Sequence, residues 1–345
     1  MPTHRPQARF QMLRMTLVAV LSTLCLAGMT RGQEVTFQPE PVFSKVEKGG
    51  RFQGLQFSHH DRRLWNDQRK NWDIPSGHEL TGGPLEPSDN KSIFSGEVWG
   101  RRVLFVDTDE NRLLSWGGVT SDFDRPLPEK GRIKSLQLLS NRGLFAAWMV
   151  DPQQVCLGAI YNNRSDRYVQ FPFELGKVEI SPTGKTVVAT LREDDKSLVV
   201  LDLENGEEKL RIKQKSVIAS LAISPDDRYV ATGSFDNAVR IYDLTSGKRL
   251  HVLKKHKEGK IFLGSAVYDV AFSRDSAYLA TGGHDGRVVV WDVEKGSVRF
   301  EAKVMGEPII WSVAIAKDWK MVACGFEDVG AICGVAVWRF LPEEE

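Results

Sequence analysis

The groupings in this chain whose residue types suit chemistry are few, and each one fails on spacing. His59-His60-Asp61 sets two imidazoles beside a carboxylate, the side chains of a metal site. Consecutive residues seldom converge on one ion, however, and the triplet aligns with Pro225-Asp226-Asp227, a hairpin turn elsewhere in the chain, so no metal is expected. Gly184-Lys185-Thr186 copies the end of a phosphate-binding loop, but Glu179 stands where the motif needs its first glycine, and the segment reads as a turn between strands. There is no Gly-x-Ser-x-Gly, no His-Glu-x-x-His and no Cys-x-x-Cys-His, and no histidine pairs with Ser or Cys in a recognised nucleophile pattern. Neither catalytic residues nor a cofactor is therefore expected, although residues scattered over several strands can still assemble a site.

Cys324 and Cys333 lie nine residues apart and flank a widened turn, Glu327 to Ala331. That leaves open a disulfide across a hairpin, against the simpler reading of two small buried residues, because a bridge demands a specific separation and direction. Asn90-Lys91-Ser92 and Asn163-Arg164-Ser165 match the glycan acceptor pattern, which matters only in a host that modifies such sites.

The 345 residues carry 46 Lys+Arg against 45 Asp+Glu, a formal charge of +1, so nothing in the overall charge points to a nucleic-acid or membrane-surface partner. With 41% apolar and 26% charged residues, the composition is that of a globular chain with many turns. Thr16 to Gly28 is an apolar run behind a basic stretch, of the length and polarity of a secretory signal. Residues 1–33 are expected to be a signal peptide and the mature chain to be secreted or periplasmic, with an uncleaved anchor left open. Leu24 is too bulky before Cys25 for lipid attachment. The mature chain would keep Cys156, Cys324 and Cys333, an odd number. After residue 30 no apolar run approaches the roughly 20 residues that span a bilayer, so the mature chain is not expected to insert.

A repeat of about forty-three residues positions everything else. Leu221 to Leu250 aligns without a gap on Val270 to Arg299, Val178 to Leu210 has the same grammar, and Val313 to Trp338 repeats it around an enlarged turn. Near the start, WDIPSGHEL at Trp72 to Leu80 copies YDLTSGKRL at Tyr242 to Leu250. Marking the first turn of each copy gives Ser58, Ser95, Leu139, Ser181, Ser224, Ser273 and Ala316, with the pattern weakest between Ser92 and Phe171. Each copy reads as four short apolar runs divided by Asp, Pro and Gly turns, which is an antiparallel meander. One such sheet cannot bury both faces, and copies set radially bury each face on a neighbour.

Tyr242-Asp243 and Trp291-Asp292, following Thr232-Gly233-Ser234-Phe235-Asp236 and Thr281-Gly282-Gly283-His284-Asp285, resemble the WD-repeat family. The resemblance implies an all-β, seven-bladed β-propeller of four-stranded antiparallel blades. It also implies a brace of Trp, Ser or Thr, Asp and His in each blade, supplied in the best copy by Trp291, Thr281, Asp285 and His256. In the preceding copy Thr232, Asp236 and Tyr242 give a partial brace without a histidine. The last copy ends after three strands, and the extended segment 34–43 is expected to supply its fourth, as an N-terminal strand closing the last blade within a domain of residues 34–345.

In that family, partners dock on the face formed by the loops entering the first strand and the turns between the second and third. The matching positions are Phe235 and His284 beside the turn aspartates, and Tyr268, Trp311, Lys134 and Gln53 at the first strands; of these, Phe235, Tyr268, His284 and Trp311 form the expected partner-binding set. Tyr268 and Trp311 could instead wedge between blades. Asp194, Asp195, Asp236 and Asp285 would add negative charge, which, if accessible, suits a peptide bearing Lys or Arg. The reading is a monomeric, non-catalytic scaffold for a protein or peptide and not for nucleic acid. The alternative is a propeller that binds or transforms a small ligand in its central channel.

Overall fold

The fourth, fifth and sixth repeats turn back on themselves through a serine, Ser181, Ser224 or Ser273, that closes the first hairpin. Ser224 and Ser273 Oγ accept the backbone N–H of Tyr229 and Tyr278, both at 2.9 Å, and donate to Asp226 and Asp275, both at 2.6 Å. The chain reverses through a left-handed residue in the same turn, Asp227 at φ 57° and Ser276 at φ 61°, where the fourth repeat uses Gly184 at φ 71°. The flanking runs, such as Tyr229–Ser234 and Ala238–Asp243, are short and rich in β-branched and small residues, and they pair in antiparallel register.

The structure is a computed structural model that describes residues 37–48, 55–57, 63–65, 71–73, 92–94, 103–107, 112–116, 124–126, 132–139, 144–150, 153–159, 166–258, 266–316, 321–328 and 332–340. Residues 1–33, expected to be a signal peptide, together with Gln53, His59-His60-Asp61, Asn90 and Asn163, lie outside the described residues. Among the described residues every regular element is a strand, and the strands form seven antiparallel sheets, five of them four-stranded. The chain is a β-propeller built of four-stranded blades. The stretch of weakest sequence pattern holds two of these sheets, 92–126 and 132–170.

The core is a series of interfaces between consecutive blades rather than a central mass. Val199 and Leu201 of the fourth sheet pack with Trp148 and Val155 of the third. Val200 packs with Ile218 and Tyr242 of the fifth, Ile241 with Val289 and Trp291 of the sixth, and Val290 with Val313 and Trp338 of the last. The last sheet in turn packs through Ala314 and Val335 on Leu64 of the first, and Leu55 N–H donates to Ser312 Oγ at 3.1 Å. The side chains concerned alternate along each strand, so both faces of a blade are apolar and neither is stable in water alone. The Thr-Gly pairs permit this approach. A Cβ on Gly233 would stand 2.6 Å from Val267 O of the next blade, and one on Gly282 would stand 2.5 Å from Ile310 Cγ2.

The last sheet takes its fourth strand from the N-terminal side. Phe43–Lys48 runs antiparallel to Ile332–Arg339, from Phe43 opposite Val337 to Lys48 opposite Ile332. Of the segment 34–43, only Phe43 belongs to that strand, while Phe37–Gln38 pairs with Val304 and Lys303 as a fifth strand on the preceding blade. Pro39 and Pro41 explain the division, because neither can donate to a ladder, whereas 43–48 is free of proline.

Candidate partner-binding face

The sixth blade shows how the hairpins on one face are held. His256 Nδ1 lies 3.0 Å from Asp285 Oδ1, His256 Nε2 lies 2.8 Å from Thr281 Oγ1, and Trp291 Nε1 donates to that oxygen at 3.0 Å. Lys257 N–H and Arg287 N–H also donate to Asp285, at 2.9 and 3.2 Å. Burial alone would push the Asp285 carboxyl up, but these bonds hold it below the usual carboxylate value. Hydroxyl, imidazole and carboxylate in series have the order of a nucleophilic triad. Thr281 is wholly buried, however, and its oxygen already accepts the indole N–H, so no substrate can reach it and the set acts as a brace.

The fifth blade carries a different network around Thr232 and Asp236. Gln214 Nε2 donates to Thr232 Oγ1 at 2.9 Å, filling the role of the absent histidine, and Arg240 pairs with Asp236 and donates to Ser234 Oγ at 3.2 Å. Tyr242 is buried against the fourth blade. The sequence reading missed Gln214. Its signal was position: it follows the outer strand Glu208–Lys213 directly, much as His256 closely follows Arg249–Lys254. In the last blade Trp338 occupies the register position of Trp291, but Cys324 stands where Thr281 would be, and the indole donates instead to Pro39 O at 2.8 Å.

Cys324 and Cys333 require a correction to the disulfide left open by their spacing. Glu327 is opposite Cys333 and Cys324 is opposite Ala336, an offset of three residues that turns the side chains to opposite faces of the sheet. Cys324 packs toward the sixth blade and Cys333 toward the first, as separate thiols.

Above these braces the aromatic residues gather. The opening strands of several blades carry a register irregularity at one place, between Ile133 and Ser135, Ile218 and Ser220, Val267 and Asp269, and Ile310 and Ser312. The residues skipped are Lys134, Ala219, Tyr268 and Trp311, and such a bulge re-aims the side chain it carries. Tyr268 is the hub. Its ring centroid lies 4.8 Å from Trp311, 6.0 Å from His284 and 6.3 Å from Phe235, which joins three consecutive blades. Phe235 is 43% exposed, Tyr268 and Trp311 are half-buried, and His284 is 1% exposed. Lys134 is exposed on the third blade, outside this cluster. Burial holds the His284 imidazole below its usual value, with Asp285 opposing, and burial pushes the Tyr268 phenol up. Among the described residues, neither ring nitrogen of His284 nor the indole nitrogen of Trp311 has a hydrogen-bond partner.

The acidic contribution expected on this face is smaller than the sequence suggests. Asp285 is enclosed by its brace, Asp236 is paired with Arg240, and Asp194 accepts Ser197 Oγ at 2.7 Å and Lys196 N–H at 3.2 Å. Two other carboxylates stand on opening strands of the fourth and sixth blades. Burial pushes Glu179 up to about 8, with a contribution from the nearby charge of Asp269, and burial pushes Asp269 up to about 7 despite bonds from Val313 and Val270 N–H. Among the described residues no group of three or more His, Cys, Asp and Glu side chains could hold a metal ion.

Residues 208–243 and 247–292 match the family model described as WD domain, G-beta repeat. The match supports a WD-repeat family. It runs from the outer strand of the fourth blade through the fifth blade to the third strand of the sixth, and so includes the networks around Thr232 and Thr281. Comparison with curated proteins returned no match. Repeats of this kind suggest a protein-interaction scaffold rather than an enzyme, and among the described residues no helix is long and apolar enough to cross a membrane.

Proposed function

We propose that the chain is an exported, non-catalytic scaffold that holds a protein or peptide on the face carrying Phe235, Tyr268, His284 and Trp311. The observation that carries the reading is the aromatic cluster spanning three blades, with an exposed phenylalanine at its rim. Large rings in contact, partly shielded from water, are the residues that dominate interface energetics. Phe43–Lys48 and the last strand, Ile332–Arg339, share one sheet, and in this reading seven blades close a ring that holds the cluster rigid. The run Thr16 to Gly28 behind Arg5, Arg9 and Arg14 supports export through a signal peptide at residues 1–33. The test is Phe235→Ala, which removes an exposed ring: thermal unfolding should stay within a few degrees of the wild type while peptide binding falls. Unchanged binding by both Phe235→Ala and Tyr268→Ala would rule the face out.

A second reading has one observation of its own. Lys177, Glu179 and Asp269 stand on opening strands, where Lys177 and Glu179 both influence or feel the Asp269 charge. Polar groups meeting there suit a small ligand held between the opening strands. Loss of a ligand-induced stabilisation in Glu179→Gln, with Phe235→Ala unaffected, would favour it over the docking face.

A further inference from the structure

We propose that His284 and Trp311 bind the main chain of an extended peptide segment, one partner carbonyl accepting the Trp311 indole N–H and one partner peptide group engaging His284. The proposal rests on the docking face described above and names what that face recognises.

The three nitrogens concerned are buried and unpartnered, on two residues that both flank Tyr268. Such atoms are rare in folded proteins because they lose their water without gaining a bond. Within the two networks beside them the polar groups are met: Thr281, His256, Asp285 and Trp291 satisfy one another, and Gln214, Thr232, Ser234 and Arg240 do the same. Trp311 and His284 stand at positions that no ladder requires, a bulge residue and a hairpin-turn residue, and both touch the Tyr268 ring. Their placement therefore points outward, to a group supplied by another molecule.

The chemistry of that group follows from the inventory. The Trp311 indole can only donate. An uncharged His284 offers one donor and one acceptor, the state that its burial favours. Together the site presents two donors and one acceptor. A carboxylate brings acceptors only and would leave the imidazole acceptor unmet. An ammonium or guanidinium brings donors only and would leave both N–H groups unmet, and the nearest acidic candidates, Asp236 and Asp285, are already bonded. A peptide main chain supplies carbonyl and N–H together at regular spacing. Its side chains would then pack on Phe235 and Tyr268. Since the nitrogens are covered in the free protein, the Tyr268 and Trp311 rings must part slightly to admit the strand.

The experiment uses the full chain and a displayed library of random peptides capped at both ends. A selected peptide is then measured against wild type, Trp311→Phe, His284→Phe and Phe235→Ala, with the unfolding temperature of each protein recorded. Trp311→Phe keeps a ring and deletes an unpaired donor. Its unfolding temperature should be equal to or above the wild type, while peptide affinity falls about three- to tenfold. An ester in place of the contacted peptide N–H should weaken binding to wild type but not to His284→Phe. Unchanged affinity in Trp311→Phe overturns the proposal, as does a peptide whose binding is carried by an Asn, Gln or acidic side chain. If Phe235→Ala weakens binding while Trp311→Phe does not, the docking face stands and its main-chain chemistry fails. If no peptide is selected, or none depends on Phe235 or Tyr268, both fail together.

Discussion

Replacing His256 with alanine tests the brace most sharply, because one side chain there holds two others from different parts of the blade. The imidazole is almost wholly enclosed, 3.0 Å from Asp285 and 2.8 Å from Thr281. Its removal deletes one charge-assisted bond, worth roughly 1.5–3 kcal/mol, and one neutral bond, worth roughly 0.5–1.5 kcal/mol. The vacated volume adds a further cost, so the total is roughly 3–5 kcal/mol. Asp285 keeps the Lys257 and Arg287 N–H groups and Thr281 keeps the Trp291 N–H, which limits the loss. Equilibrium urea unfolding should show the reduction, and the unfolding temperature should fall by roughly 4–8 °C. Thr281→Val, which removes the shared oxygen with little change of shape, should cost less alone, and the double variant should cost less than the sum of the two. Gln214→Ala should cost only about 1–2 kcal/mol, since its bonds are neutral. A His256→Ala protein within about 1 kcal/mol of wild type, or strict additivity with Thr281→Val, would refute the reasoning.

Three further outcomes follow. Glu179 and Asp269 have folded values above the unfolded ones, so the folded state binds more protons between them, and stability should decline as pH rises from about 4 toward 8. Glu179→Gln should flatten that decline in pH-dependent urea titrations, while Asp285, whose folded value is depressed, should contribute a separate loss only as pH falls below about 4. Trp338→Phe deletes the bond to Pro39 O and should cost about 1 kcal/mol, with faster amide exchange across residues 42–48 as its local signature. Gly233→Ala forces a methyl to within 2.6 Å of Val267 O and should destabilise by more than about 2 kcal/mol, where a mere propensity change would slightly stabilise.

What the sequence made legible is local, and what it hid is not. The serine turns recur at Ser181, Ser224 and Ser273, and the Thr-Gly and aromatic-Asp pairs in the copies at Ser224 and Ser273, because those blades meet their neighbours in the same way. The aromatic positions Phe235, Tyr268, His284 and Trp311 could be named from the repeat together with the family resemblance, and the structure brings them into one cluster. Gln214 carried a signal of position only, not of residue type, since a glutamine stands in for a histidine through its geometry. Trp338 was read as part of a repeat, but its partner is Pro39, almost three hundred residues away, and only the shared sheet makes them neighbours. The N-terminal strand lies later than the segment first marked for it, because two prolines break the ladder there. Of the aspartates expected to add surface charge, Asp285 is enclosed by His256 and backbone N–H groups and Asp236 is paired with Arg240, which composition cannot reveal, while Asp195 and Asp236 remain exposed. The two cysteines show the same limit: nine residues apart says nothing about which face each one takes.

The most direct measurement places a photo-crosslinking residue on the face and, in parallel, on an outer edge. Phe235→p-benzoylphenylalanine and Val298→p-benzoylphenylalanine are both at exposed positions, 43% accessible in each native residue, so they differ in location rather than in accessibility. Irradiated with the peptide selected on the wild-type protein, the variant at 235 should form a covalent adduct and the variant at 298 should not. An adduct at 298 and none at 235 would contradict the account and move the interaction to the rim of the propeller.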